Sequence, residues 1–252
     1  PELYKSFDRN IYIKKAKYSC SNADKIIAIS QQTKNDLIEF LKVDEQKIEV
    51  VYQGCNTVFY QKIDEDFKTS VKKKYDLPPK FLLNVGTIEK RKNILSVIKA
   101  IHQKNIEIML VVIGKKTKYF DEIQKYIYDN KISEKIIFLD NVNLQELAAI
   151  YQMAEIFIYP SLFEGFGIPI IEAINSGVPV ITSKGGCFAE SGGENSVYVN
   201  PAEIDEIAFS ITDLINNSEK RLKIIENSYK FVERFKEEKI ANDIMNVYKS
   251  VL

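Results

Sequence analysis

Two glutamates, Glu164 and Glu172, stand with seven residues between them in the stretch Tyr159–Gly177, YPSLFEGFGIPIIEAINSG. A strand-like run ends at Pro160, Glu164-Gly165-Phe166-Gly167 reads as a loop, and a helix starts near Pro169, where proline suits a first turn. A Gly-x-Gly turn ahead of a helix lets backbone N–H groups approach a ligand, and the helix N-terminus favours an anion. Glu164 falls in the loop and Glu172 roughly one turn inside the helix, so both carboxylates can face one crevice. The plainer alternative makes Glu164 a helix cap and Glu172 a surface residue. The coincidence of glycine loop, strand end and two acids weighs against it.

A second group of residues lies at Val85–Asn93, VGTIEKRKN. Gly86 turns the chain after a strand, and Arg91 and Lys92 sit just ahead of a helix. The chain has 31 lysines but only four arginines, Arg9, Arg91, Arg221 and Arg234, so an Arg-Lys pair at a strand-to-helix loop stands out. Arginine offers a fork to a diphosphate and lysine a point charge. The alternative is a solvated basic turn.

These residues need a sheet to hold them. From Phe81 onward, strand-like runs alternate with helical stripes: Phe81–Val85, Ile108–Ile113, Ile136–Leu139, Ile156–Pro160, Val178–Thr182 and Ser196–Val199. Continuous apolar strands separated by helices mark a parallel sheet covered on both faces, an α/β doubly wound domain. In such sheets ligands bind at the carboxyl ends of the strands. Seven of the ten glycines fall between Gly165 and Gly193, in the loops after the late strands. Two earlier strands, Lys25–Ser30 and Ile48–Tyr52, are too few for a domain. The sequence therefore divides into residues 1–60, the tail of one domain with a linker, and residues 61–252, a whole domain with its closing helices.

Gly86-Thr87, Arg91-Lys92-Asn93, Ser161 and the Glu164–Glu172 pair together resemble the family-4 retaining glycosyltransferases of GT-B architecture, also called glycosyl transferases group 1. PSLFEGFGIPIIEAINSGVPVIT is close to that family's E-x7-E segment, and Glu190 and Tyr198–Pro201 keep its usual order. ADKIIAIS and IEVVYQG resemble the end of its N-terminal domain, so the resemblance runs from about Ala23 to the C-terminal helices. The RKN version is most similar to mannosyltransferase-like members.

The resemblance implies a Rossmann-like donor domain with a remnant of a second one, and a nucleotide-diphosphate sugar (GDP or UDP) as donor. It implies transfer of a hexose, with mannose a candidate, to a glycan or lipid-linked acceptor with retention. Its catalytic candidates are Glu164, Lys92 and Arg91, the two cations stabilising the diphosphate leaving group. Its donor-binding candidates are Gly86, Thr87, Asn141, Val142, Gly165, Phe166, Gly167, Ile168 and Glu172. Among these Glu172 meets the ribose, Asn141 and Val142 the base, and the amides of Phe166 and Gly167 the sugar and phosphate. It implies no metal and no cofactor, a cytoplasmic protein, and peripheral contact at the inner membrane face as an option for the full-length parent. The N-terminal acceptor domain is largely missing, which predicts a chain inactive alone. The alternatives are a non-catalytic nucleotide-sugar-binding module and a GT-B epimerase or phosphorylase. The aromatic usual at the last helix junction is replaced around Phe235-Lys236-Glu237, a change expected to affect packing.

Several other functions are disfavoured. With 35 Lys+Arg against 35 Asp+Glu the net charge is zero, which argues against binding nucleic acid. Cys20, Cys55 and Cys187 have neither CxxC spacing nor histidine partners beyond His102, so reduced thiols are expected rather than zinc or disulfides. No apolar run approaches the roughly 20 residues of a membrane span, and PELYKSFDRN is no signal peptide. Asp64-Glu65-Asp66 matches a metal-binding DxD but follows no apolar strand end. Lys72-Lys73-Lys74 reads as a solvated face, His102 as a helix-terminal residue, and Ser30 lacks nucleophile partners. Gly165-x-Gly167 is no GxGxxG, because residue 170 is Ile.

Overall fold

The computed structural model describes residues 6–252. The chain forms two compact units, residues 6–54 with 234–252, and residues 55–233. The first begins with helix α1 (Ser6–Asn22), strand β1 (Ile26–Ala28), helix α2 (Gln31–Leu41) and strand β2 (Ile48–Val50). β1 and β2 pair in parallel from Ile26↔Ile48 to Ala28↔Val50. Ser30, buried, is the N-cap of α2, its Oγ accepting from the Thr33 amide at 2.9 Å. The sequence reading has no element before Lys25 and so lacks α1. Its apolar residues run around the whole helix, and Phe7, Tyr12 and Tyr18 are exposed, so no stripe betrays it.

The second unit carries strands β3 (Phe81–Val85), β4 (Met109–Ile113), β5 (Ile136–Leu139), β6 (Ile156–Tyr159), β7 (Val180–Ser183) and β8 (Val197–Val199). They form one fully parallel sheet in the order β5-β4-β3-β6-β7-β8. Helices α3 (Glu65–Lys74), α4 (Ile94–Gln103), α5 (Tyr119–Asp129), α6 (Leu144–Met153), α7 (Ile168–Asn175), α8 (Phe188–Gly192), α9 (Ile204–Asn216) and α10 (Ser218–Val232) connect and cover it. The inner strands β3, β4, β6 and β7 are largely apolar on both faces and buried, as expected of a sheet sandwiched between helices. The last helix, α11 (Glu237–Lys249), groups with the first unit, whereas the sequence reading counts the closing helices in the second. Phe235 is buried and meets Tyr52 edge-on, centroids 5.7 Å apart, while the Arg234 guanidinium lies 4.7 Å over the Tyr52 ring.

The sheet order reverses between β3 and β6. The chain leaves β3 towards β4 and β5 on one side, then crosses to β6 on the other. Their ladder covers only Leu82↔Ile156 and Leu83↔Phe157. Beyond it the buried Asn84 side chain donates to the Ile158 carbonyl at 2.7 Å, continuing the link after the backbones part. A crevice at such a switch point is where open α/β sheets take ligands.

The remaining sequence motifs resolve as structure. Asp64 Oδ1 accepts from the Asp66 and Phe67 amides at 2.9 and 3.2 Å, so the DxD caps α3. Lys74, last of the lysine run, pairs with Glu146 at 2.5 Å. His102 lies in the last turn of α4, its Nδ1 3.0 Å from the Tyr126 hydroxyl. None of the three cysteines is in a disulfide. Among the described residues no helix is long and apolar enough to cross a membrane.

Gly114, at the end of β4, tests how closely the strand-end loops pack. A Cβ there would lie 2.0 Å from the Gly86 carbonyl oxygen, a backbone atom with no freedom to yield. Gly114→Ala should destabilise the unit by about 2 kcal/mol or more, the range for overpacking with forced backbone shifts. Urea unfolding monitored by circular dichroism checks this; an unchanged midpoint would show that the loops are loosely held.

Candidate functional site

The loop after β3 runs through Gly86 into a short 3-10 turn, Lys90–Lys92, and then α4. Gly86 has φ +144° and passes over the Lys92 side chain, since a Cβ there would stand 3.5 Å from Lys92 Cε. Thr87 is exposed on the same turn. Asn93 adopts a left-handed conformation, φ +58°, and its Nδ2 donates to the carbonyls of Pro160 at 3.2 Å and Pro201 at 2.8 Å. One amide side chain thereby ties the loops after β3, β6 and β8 together.

The loop after β6 folds back onto this turn. The Leu162 amide donates to the Arg91 carbonyl at 2.7 Å, and Arg91 Nη1 donates to the Phe163 carbonyl at 3.1 Å. Glu164 is thus brought against both cations. Its Oε2 lies 2.7 Å from Arg91 Nη1 and its Oε1 2.7 Å from Lys92 Nζ. Tyr159, buried at the end of β6, donates its hydroxyl to Glu164 Oε1 at 3.0 Å and also meets Lys92 Nζ, which sits 4.7 Å over its ring. Arg91 Nη2 pairs in addition with Glu89 at 2.8 Å.

The titrations follow from this packing. Burial alone raises the Glu164 carboxyl, but Lys92 and Arg91 overcome it and hold it below the usual carboxylate value. Burial lowers the Lys92 ammonium, opposed by Glu164. Glu172 differs. It is half-buried on α7, accepts from the Tyr151 hydroxyl at 3.0 Å, and burial pushes it up to about 7.

Between Glu164 and Glu172, Gly167 caps α7 at φ +119°, with Ile168 and Pro169 opening the helix. A Cβ at Gly167 would come within 2.8 Å of Ser191 Oγ, so the turn has no room for a side chain. Gly165 is half-buried and Phe166 buried. Further along the strand ends, Asn141 and Val142 line a cavity of about 510 Å³ with Ile113, Gly114, Lys115, Lys116 and Asp140. Thus Lys92, Arg91, Glu164 and Gly86 are brought together at the switch point, Gly165–Ile168 and Glu172 follow along the β6–α7 turn, and Asn141 and Val142 belong to a separate hollow on the same sheet edge. The sequence reading missed Tyr159, Tyr151, Asn84 and Glu89. A polar-tipped residue at the carboxyl end of an otherwise apolar strand is the signal for Tyr159 and Asn84; Tyr151 carries none.

The second unit is a doubly wound parallel α/β sheet with a basic pair, an acid and a glycine-capped helix at its switch point. Residues 65–231 match the family described as glycosyl transferases group 1, and residues 1–59 match Glycosyltransferase Family 4. The chain belongs to the glycosyl transferases group 1 family. It is similar to the O-antigen chain mannosyltransferase RfbU of Salmonella typhimurium, 31% identical over 198 residues, covering 78% of this chain and 52% of the relative. The chain therefore spans about half the length of that relative. Among solved structures, Anabaena Alr3699/HepE in complex with UDP and glucose superposes with a TM-score of 0.87 at 21% identity, over 99% of this chain and 69% of that one. The C-terminal domain of the group 1 glycosyl transferase LpcC from Francisella tularensis gives 0.61 at 28% identity, over 71% and 97%. The architecture is of the GT-B type.

Glu172 carries a pH signature. Its carboxyl titrates near 7 when folded and, with an ordinary value of 4.5, the native state binds the extra proton between those limits. Stability from this group is therefore present at low pH and lost as pH rises towards 7. Glu172→Gln should remove that loss, so the variant gains stability over the parent between about pH 5 and pH 8. Parallel denaturant titrations give the difference directly; a gap that stays constant with pH would place Glu172 in water.

Proposed function

We propose that this chain carries the donor-binding half of a retaining glycosyltransferase, one that moves a hexose from a nucleotide-diphosphate sugar to a glycan or lipid-linked acceptor. The observation that carries the reading is the pairing of Arg91 and Lys92 with Glu164 at the sheet's switch point, beside a glycine-capped helix N-terminus. The similarity to RfbU, a mannosyltransferase, favours mannose as the sugar. HepE, whose structure holds UDP and glucose, supports a site of this shape for a nucleotide with its sugar.

The chemistry follows from the geometry. As the bond from the anomeric carbon to the β-phosphate oxygen breaks, its electron pair leaves with the diphosphate, whose charge grows. Arg91 and Lys92, with the amides around Phe166 and Gly167, meet that charge in a site partly closed to water, where a fixed cation stabilises most. Gly86 and Thr87 shape the floor, and Gly165 and Ile168 frame the phosphate turn. Glu164 accepts from sugar hydroxyls, and Glu172 from the ribose. Asn141 and Val142 border the hollow that takes the base. The acceptor oxygen attacks from the face the diphosphate leaves, and its proton passes to the departing phosphate oxygen. With two protein cations on the diphosphate, the mechanism calls on no metal ion.

Calorimetry with UDP, GDP and pyrophosphate tests the assignment. Lys92→Ala should weaken all three by about 1.5–3 kcal/mol, the range for hydrogen bonds to charged groups. Glu172→Gln should weaken the nucleotides and spare pyrophosphate. Unchanged nucleotide affinity on the lysine substitution sinks the diphosphate role, and equal losses for nucleotide and pyrophosphate on the glutamate substitution sink the ribose role.

A further inference from the structure

We propose that Glu164 is a stand-in anion: its carboxylate holds the place on Arg91 and Lys92 that the donor's diphosphate takes, and the donor enters by exchanging with it. The inference rests on the donor-binding reading above and deepens it by assigning how the site tells a sugar nucleotide from a bare nucleoside diphosphate.

The argument is one of charge. Arg91 and Lys92 supply two positive charges, and Glu164 and Glu89 supply two negative ones, all in direct ion pairs. The cluster is neutral as it stands. A diphosphate arriving at a neutral, partly buried cluster gains little from it, because each cation already has its counter-ion. One carboxylate must yield. Withdrawal of Glu89 releases only Arg91 Nη2, whereas withdrawal of Glu164 releases Arg91 Nη1 and Lys92 Nζ together.

Glu164 is also built to swing without its loop. The backbone around it is pinned by the Leu162 amide on the Arg91 carbonyl, by Arg91 on the Phe163 carbonyl, and by the Cys187 thiol donating to the Glu164 carbonyl at 3.3 Å. Only side-chain torsions need change. The freed carboxylate then lies in a loop beside the diphosphate, and burial makes an unpaired anion there costly. A ligand that ends at the β-phosphate leaves it unpaired. A ligand that carries a sugar offers hydroxyl donors in its place. The exchange therefore favours the intact donor over the spent nucleotide and helps the product diphosphate to leave, since Glu164 returns to its cations.

Binding of pyrophosphate, GDP, UDP, GDP-mannose and UDP-glucose to the wild-type chain, Glu164→Gln and Glu89→Gln, measured by calorimetry, decides the matter. Glu164→Gln should bind pyrophosphate and the bare diphosphates about tenfold tighter or more, and lose the preference for the sugar nucleotide. Glu89→Gln should change both far less. Equal tightening by the two variants would reduce the effect to general charge removal and overturn the exchange, as would unchanged or weaker pyrophosphate binding in Glu164→Gln. If Glu164→Gln does not fold, Glu164→Asp, too short to span both cations, reads the same quantity with the same expected sign. A wild-type chain that binds none of these ligands overturns the donor-binding reading itself, whereas wild-type binding without tightening overturns the exchange alone.

Discussion

A lysine ammonium with its side chain one-tenth exposed is the constraint around which the second unit is arranged. Left alone, such a group is costly enough to give up its proton. Lys92 keeps its charge because Glu164 approaches to 2.7 Å and the Tyr159 hydroxyl and ring complete its surroundings. Those three groups come from the ends of β3 and β6, which are neighbours only because the sheet reverses its order there. The topology and the ion pair therefore require one another. The crevice exists because the strands part after two ladder pairs, and Lys92 stays at its mouth because the far side carries an acid.

The loops are held to that geometry by uncharged contacts. Asn93 joins three strand ends through one side-chain amide, and Asn84 bridges the gap where the β3–β6 ladder stops. Gly114 lets the β4 end come against the Gly86 carbonyl, closer than any Cβ permits. None of these residues carries charge, yet each holds the backbone of the strand ends among which Arg91 and Lys92 lie. Catalytic sites lose much of their effect when their supports move by an ångström.

What the sequence makes legible follows from what periodicity can encode. The strands from Phe81 onward are continuous, largely apolar runs, and each expected range lies within two residues of the observed one, Val178–Thr182 becoming Val180–Ser183. Strand ends fix where loops begin, so Glu164, Lys92 and Arg91 could be placed on one sheet edge before any geometry was known. The α1 helix was invisible because its apolar residues point in every direction. Tyr151 is hidden for another reason, because inside an apolar stripe a tyrosine reads as core; Tyr159 differs only in standing at the end of a strand. Both are core, at no more than 1% exposed, but the hydroxyl at the tip of each finds a different carboxylate. That fact depends on tertiary neighbours, which no local pattern records.

The two glutamates of the β6–α7 turn, Glu164 and Glu172, have opposite electrostatic environments. Glu164 faces two cations and is held ionised, so it acts as a permanent negative charge that must be matched by something. Among the described residues no cation pairs with Glu172; burial raises it to about 7 and one tyrosine hydroxyl partly opposes that rise. Near neutral pH it is poised between its two forms. Two carboxylates on one loop-helix turn, one held ionised by its cations and one raised by burial, are thus separated by environment rather than by residue type.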